Sequence, residues 1–277
     1  MLSYQHGYHA GNFADILKHA TLIQALSCLT EKPKPLFYLE THAGRGFYDL
    51  QSDAARKTGE CVEGIQKIWE SRARLPEEFT PWMTLLRRLN PDNTLRFYPG
   101  SPSLAMEFLR PIDRLYCCEL HPREFAHLSA LPRAGRRIFF SESDGLHALS
   151  ALLPPPENRG LILIDPSFEL EKEYAEVPAA VKEGLRRFAT GVYCLWYPIV
   201  DNKLNARLQR NLAIPGTRAL QAEFHLREGV GPRMNGCGMW IINPPWKLET
   251  KLASILKTMV QVLDAGKASF VLKNHSF

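Results

Sequence analysis

The chain has no Cys-x-x-Cys pair, no internal repeat, no low-complexity tract, and no apolar run near the roughly 20 residues that span a bilayer. Each absence removes a class of protein. The six cysteines, at 28, 61, 117, 118, 194 and 237, sit mostly in apolar surroundings and read as buried, reduced thiols. A disulfide framework and a zinc site are therefore not expected, and a cytoplasmic location is. The opening Met1-Leu2-Ser3-Tyr4-Gln5-His6 is polar and has neither the charged nor the apolar region of a signal peptide. Neither a metal nor a membrane partner is expected. Acidic excess is also missing: the formal charge is +5, which leans towards a polyanionic partner without specifying one. What is present is ordinary for a globular chain of 277 residues, long enough to bury a full core.

The most informative stretch is Leu161-Ile162-Leu163-Ile164-Asp165-Pro166-Ser167-Phe168. Four consecutive apolar residues, two of them β-branched, predict a strand buried on both faces, as inside a parallel sheet. An acid and a proline then stop it, since proline has no N–H to extend a ladder. Ligands of open α/β sheets sit outside the carboxyl ends of strands. There an acid can accept a hydrogen bond from an exocyclic amine, the proline holds its carbonyl in place, and Phe168 can stack on a planar base. The sequence resembles the Asp/Asn-Pro-Pro-aromatic signature of amino-group methyltransferases. Taken alone the four residues fit an Asp-Pro turn equally well, and the rest of the chain has to decide.

Asn12 is a candidate N-cap, with Asp15 completing a capping-box-like pair, for a helix running to about Cys28 with Ile16, Ala20, Ile23 and Leu26 on one face. Lys18 and His19 fall away from the centre of that stripe and are expected to face solvent or a cleft. After Pro33 and Pro35, Leu36 to Glu40 reads as the first strand of the sheet, followed by Thr41-His42-Ala43-Gly44-Arg45-Gly46. A Gly-x-Gly there lets backbone at Gly44 approach a ligand closely; the missing third glycine argues against a dinucleotide fold. Residues 51–95 carry helical spacing, proline punctuation and several arginines, and read as a small helical insertion within a single domain spanning 1–277. Phe97 to Pro102 reads as a turn before a helix. Later strands are expected at Arg114–Glu119, Arg137–Phe140, Leu161–Ile164, Val192–Trp196, Leu220–Leu226, Gly238–Ile242 and Ser269–Leu272, with a helix from Thr250 to Leu263. Glu40, Glu119, Asp144 and Asp165 place one acid at the end of each of four successive strands. This is a stronger signal than any single motif.

Asn243-Pro244-Pro245-Trp246 matches the amino-methyltransferase signature better by letter. It follows a late strand, however, whose end should lie away from the glycine loop, so it reads as a rigid turn, placed at most on the rim of a substrate cleft.

Taken together, Met1 to Tyr4, His9-Ala10-Gly11-Asn12, Leu17-Lys18-His19, Thr41 to Gly44, Tyr98 to Pro102, Gly160 to Pro166 and Asn243 to Glu249 resemble the bacterial 23S rRNA adenine-N6 methyltransferases of the RlmJ family. The resemblance implies a Rossmann-like fold with a mixed, mainly parallel sheet, helices on both faces and a helical insertion. It implies S-adenosylmethionine as methyl donor and 23S rRNA, protein-free or early in assembly, as substrate; a monomer is expected. By the same resemblance His19, His42, Ser101, Glu119, Asp144, Gly145 and Asp165 line the cofactor site. Asp165 acts on the adenine amine with Pro166 and Phe168, and Tyr4, His6 and Lys18 lie next to the target base. One departure stands out: the usual Asp-Pro-Pro-Tyr is Asp-Pro-Ser-Phe here, which loosens the backbone after Pro166 and removes a hydroxyl. The alternatives are a DNA adenine-N6 methyltransferase, a catalytically silent RNA-binding protein on the same fold, and a small-molecule methyltransferase.

Overall fold

The computed structural model describes residues 6–133, 137–226, 234–264 and 267–277. A 3-10 turn (His6–Tyr8) leads into α1 (Phe13–Thr30), β1 (Phe37–Glu40) and β2 (Phe47–Asp49). There follow α2 (Asp53–Thr58), a π-helical turn (Val62–Gln66), α3 (Lys67–Glu70), a second 3-10 turn (Glu77–Phe79), α4 (Thr80–Leu89) and β3 (Phe97–Pro99). Helices and strands then alternate: α5 (Ser101–Phe108), β4 (Arg114–Glu119), α6 (Pro122–Ser129), β5 (Ile138–Glu142), α7 (Gly145–Leu152), β6 (Gly160–Ile164), α8 (Glu173–Arg187) and β7 (Val192–Ile199). The chain closes with α9 (Asn202–Leu212), β8 (Arg218–His225), β9 (Gly236–Ile242), α10 (Leu248–Leu263) and β10 (Ser269–Ser276).

Eight strands form one sheet in the order β10-β8-β9-β7-β6-β1-β4-β5. The block β7-β6-β1-β4-β5 is parallel, while β9, β8 and β10 join by antiparallel pairing, a mixed, mainly parallel sheet of the kind the resemblance implies. From β1 the chain winds outwards to β4 and β5, then returns to lay β6 and β7 on the other side. The switch in winding falls beside β1 and β6, and a crevice opens there at the carboxyl ends of the strands.

The strand at the centre of the sequence reading behaves as predicted. Leu161 and Leu163 of β6 join one core, and Ile162 and Ile164 join the other, all four fully buried. Two-residue alternation therefore serves two hydrophobic layers at once. One layer is formed with α1, α5, α10 and the helices between β2 and β3, the other with α7, α8 and α9.

Two expectations change. First, α1 is not a surface helix with one apolar stripe, because every residue from Ala14 to Leu26 is buried. It packs against β9, α5, α10 and the π-helical turn at once, so its polar residues are enclosed as well. His19 is 1% exposed and faces neither solvent nor a cleft, whereas Lys18, at 5%, lines a cavity, the cleft that was one of its two expected settings. Second, Phe97–Pro99 is a strand that pairs antiparallel with β2, Phe47 opposite Pro99 and Asp49 opposite Phe97. That short clasp brings together the two ends of the helical stretch between them.

The cap of α1 forms as predicted on one side, with Asn12 Oδ1 accepting from the Asp15 N–H at 3.0 Å. Its reciprocal half is displaced by a residue, since the Asp15 carboxylate reaches back to the N–H of Gly11 at 2.8 Å. At the far end of the sheet Asn243 adopts φ +55, and its Nδ2 donates to the carbonyls of Ala189 and Gly191, both at 2.8 Å. Because β9 runs antiparallel to β7, with Ile242 opposite Tyr193, this turn lies where the parallel strands begin. It is a rigid turn as predicted, but at the opposite end from the Asp165 crevice and not on its rim.

Candidate active site

The four strand-end acids stand on adjacent strands in the order β6-β1-β4-β5, so Asp165, Glu40, Glu119 and Asp144 line one edge of the sheet. Glu119 accepts the N–H of Gly44 and the N–H of His121, each at 2.7 Å, which fixes the glycine loop over the end of β4. Gly44 has φ +61, a left-handed conformation in which a Cβ would also meet the Tyr48 hydroxyl at 2.8 Å. Asp144 caps α7 through the Leu146 N–H at 2.8 Å. A Cβ on Gly145 would lie 2.0 Å from the Thr41 carbonyl oxygen, so only glycine lets α7 start so close to the exit of β1. His42 bonds Thr41 Oγ1 at 2.7 Å, and burial lowers its pKa against the pull of Asp165 and Asp144, which favours a neutral ring.

His19 and Ser101 are placed differently. His19 Nδ1 lies 2.7 Å from the Tyr98 hydroxyl, and burial drives its pKa down to about 3. Ser101 donates to Glu40, which also accepts from Tyr38 at 2.8 Å. Both side chains are buried and hydrogen-bonded to neighbouring side chains. A half-buried carboxylate on β4, a left-handed glycine loop beside it and a capping acid on β5 form a donor and acceptor set that suits a nucleoside carrying a cationic amino acid.

On the other side of Asp165 lies a cavity of about 930 Å³, bordered among others by His6, Lys18, Asp165, Pro166, Phe168 and Trp196. Asp165 Oδ2 accepts from Lys18 Nζ at 2.7 Å. The same ammonium lies 2.9 Å from Asp15 Oδ1, and Asp15 Oδ2 lies 2.9 Å from His6 Nε2. Burial opposes the Lys18 charge, yet Asp15 and Asp165 outweigh it and hold the pKa well above the usual lysine value. Burial likewise opposes ionisation of Asp15, but His6, Lys18 and His19 hold it well below the usual carboxylate range. Among the described residues Asp165 Oδ1 accepts no hydrogen bond, and the side chain retains 15% exposure at the cavity.

Phe168 borders the cavity but is only 7% exposed; it takes φ +51 and packs at 4.7 Å, centroid to centroid, on Tyr174. Tyr4 lies outside the described residues. The sequence reading missed four contributing residues. Trp196 and Pro198 add an apolar wall from the end of β7, which the strand-end rule could have nominated because β7 neighbours β6. Asp15 had been read only as a helix cap. The stretch between β2 and β3 supplies a polar wall through Glu60, which receives Asn12 Nδ2 at 3.0 Å and pairs with His9 Nδ1 at 3.0 Å.

A crevice at the switch point of this sheet, lined by strand-end acids and ending on Asp-Pro-x-aromatic, defines a Rossmann-like methyltransferase. The family model described as "Ribosomal RNA large subunit methyltransferase D, RlmJ" matches residues 33–272. Ribosomal RNA large subunit methyltransferase J of Escherichia coli K12 is 43% identical over 92% of this chain and 92% of its own length. The Haemophilus influenzae protein of the same name is 42% identical over 95% of this chain and 94% of its own. A crystal structure from Legionella pneumophila, 43% identical, superposes with a TM-score of 0.92 over 97% of this chain and 99% of that one. The chain belongs to the RlmJ family of ribosomal RNA large subunit methyltransferases.

Proposed function

We propose that this protein transfers a methyl group from S-adenosylmethionine to N6 of an adenine in 23S rRNA, with Asp165 as the group that receives the amine. The observation that carries the assignment is the state of Asp165. One oxygen is occupied by Lys18, the other accepts no hydrogen bond among the described residues, and the side chain borders the cavity at the carboxyl end of the central strand of a chain in this family.

Adenine N6 is a poor nucleophile because its lone pair is delocalised into the ring. Asp165 Oδ1 and the Pro166 carbonyl each accept one N6 hydrogen, which favours a pyramidal nitrogen and returns the lone pair to it. S-adenosylmethionine, when bound, supplies an electrophilic methyl on a sulfonium. Glu119 offers hydrogen-bond acceptance to a ribose, the Gly44 loop allows close backbone approach, and Asp144 and His42 complete that side. Orientation and electrostatic preorganisation do most of the work. Methylated N6 is a strongly acidic ammonium, so Asp165 needs only to take up its surplus proton. Lys18 balances the carboxylate's charge in a site where an unpaired anion would be costly. The base must leave its stack to reach this point. Phe168, Trp196 and Pro198 give it apolar surface, and the 51–95 insertion walls the far side of the cavity through Lys57, Glu60 and Glu63.

Incubating the chain with tritiated S-adenosylmethionine and protein-free 23S rRNA, then digesting to nucleosides, tests this reading. N6-methyladenosine at a single site is expected. Label in DNA but not rRNA, or none at all with donor binding intact, would overturn it.

A further inference from the structure

Asp15 holds more partners than a helix cap requires. Capping needs one acceptor for one N–H, and the Gly11 N–H at 2.8 Å supplies that. The same carboxylate also lies 2.9 Å from His6 Nε2 and 2.9 Å from Lys18 Nζ, with His19 Nε2 at 3.8 Å, and its side chain is 1% exposed. From Lys18 the next contact is Asp165 Oδ2 at 2.7 Å. A continuous chain of four charged or chargeable groups thus runs from the N-terminal turn to the end of β6.

A lysine is a point charge on a flexible stem of four carbons, unlike the rigid fork of arginine. Something must determine where its ammonium rests. Here it lies between two carboxylates, one on its own helix three residues back and one on a strand 147 positions later. Without the first anion, nothing among these contacts prevents the ammonium from sitting across both oxygens of the second. We propose that Asp15 is a positioning residue for Asp165. It anchors the Lys18 ammonium on Oδ2 so that Oδ1 stays free for the amine. This rests on the assignment of Asp165 given above.

The test is a double-mutant cycle on methyl transfer to 23S rRNA, with kcat, KM for RNA and Kd for the donor measured for the wild type, Asp15→Asn, Lys18→Met and the double variant. Asn keeps the size of Asp and removes the anion. Asp15→Asn is expected to lower kcat about 10- to 100-fold, with KM and donor Kd within about threefold. In the Lys18→Met background the same substitution should cost less than about threefold, because the group it acts through is gone. Asp113→Asn is the control for a merely structural loss. That buried carboxylate also accepts main-chain N–H groups and pairs with an arginine, far from the cavity, so its loss should lower Tm and leave kcat unchanged. If Asp15→Asn does not fold, Asp15→Glu, which keeps the charge and shifts it by one methylene, is carried through the same cycle with the same expectation of non-additivity. Losses that multiply, or a wild-type kcat in the Asp15 variant, would overturn the proposal. A wild-type chain that transfers nothing to adenine N6 would instead remove the functional assignment itself, so the two failures are told apart by the unmutated protein.

Discussion

Both ends of the central sheet carry acids, and the two ends use them in opposite ways. Where the parallel strands begin, Asp113 accepts the N–H groups of Leu36 and Arg110 at 2.9 and 2.8 Å and pairs with the Arg110 guanidinium at 2.9 Å. Arg114 grips Glu157 with two bonds of 2.8 and 2.9 Å, and Arg159 donates to the carbonyls of Lys34 and Leu29. Forked guanidinium groups here close off carboxylates and loop carbonyls together. At the other end the cation nearest the centre is a lysine: Glu119 takes one main-chain N–H per oxygen, Glu40 takes two hydroxyls, and Asp165 bonds Lys18 through Oδ2. Guanidinium forks and main-chain N–H groups together enclose the first kind of acid, whereas Asp165 pairs one oxygen with an ammonium and leaves the other without a hydrogen bond among the described residues, so it can receive a substrate.

The largest expected effect comes from the open end. Asp165→Ala should lower kcat by at least about 10²–10³, the scale of removing one preorganised electrostatic contact, while donor affinity by calorimetry stays within a few-fold. Lys18 would still be paired with Asp15, so the fold should survive. An alanine variant with wild-type turnover would erase the distinction between the two ends. Next, Asp113→Ala at the closed end should cost about 2–4 kcal/mol in urea unfolding, because it strands Arg110 and two N–H groups, with kcat unchanged. Asn243→Ala should cost about 1–3 kcal/mol through two lost hydrogen bonds and a left-handed backbone that asparagine tolerates better than alanine, again with kcat unchanged. A collapse of activity in the Asn243 variant would show that the better-spelled tetrapeptide does chemistry after all.

Much of the closed architecture was legible, because strand periodicity and proline punctuation act locally. The positions of the sheet strands and the row of strand-end acids follow from runs of fewer than ten residues. The choice of Asp165 over Asn243 followed from strand direction alone. What escaped depends on contacts distant in sequence. Periodicity gives α1 an apolar face but cannot say that β9, α5 and α10 will cover the other faces too, and so it leaves Lys18 and His19 between solvent and a cleft; Lys18 takes the cleft and His19 neither. A lysine on a polar helix face is read as solvated by default. Its burial is made possible by Asp15 and Asp165 together, and the second lies in no local window. The β2–β3 clasp was missed for a similar reason, since two strands of three residues separated by a helical stretch carry almost no pattern of their own.

The smallest effect tests what an acid at the open end costs when it is not paired with a cation. Glu40 ends β1 fully buried, and burial, with Asp165 nearby, pushes its pKa up to about 8 from an ordinary 4.5, only partly offset by the bonds from Ser101 and Tyr38. The folded pKa thus lies above the unfolded one. Below pH 4.5 both states hold the proton and the contribution of Glu40 to stability is complete. As pH rises from 4.5 to 8 the unfolded chain releases a proton that the folded chain keeps, and stability is lost across that window. Glu40→Gln has the shape of the protonated acid and no proton to release. Its Tm should exceed that of the wild type by a few degrees at pH 8, and the gap should close towards pH 4.5. His19 works in the opposite direction: its folded pKa of about 3 lies below the usual 6.5, so its contribution is lost as pH falls below 6.5. It is unchanged in the Gln variant, so the difference between the two proteins isolates Glu40. A gap that does not vary with pH would mean that Glu40 is ionised in the fold and that the open end holds a second buried anion beside Asp165. The charge balance at Lys18 would then have to be shared among three carboxylates.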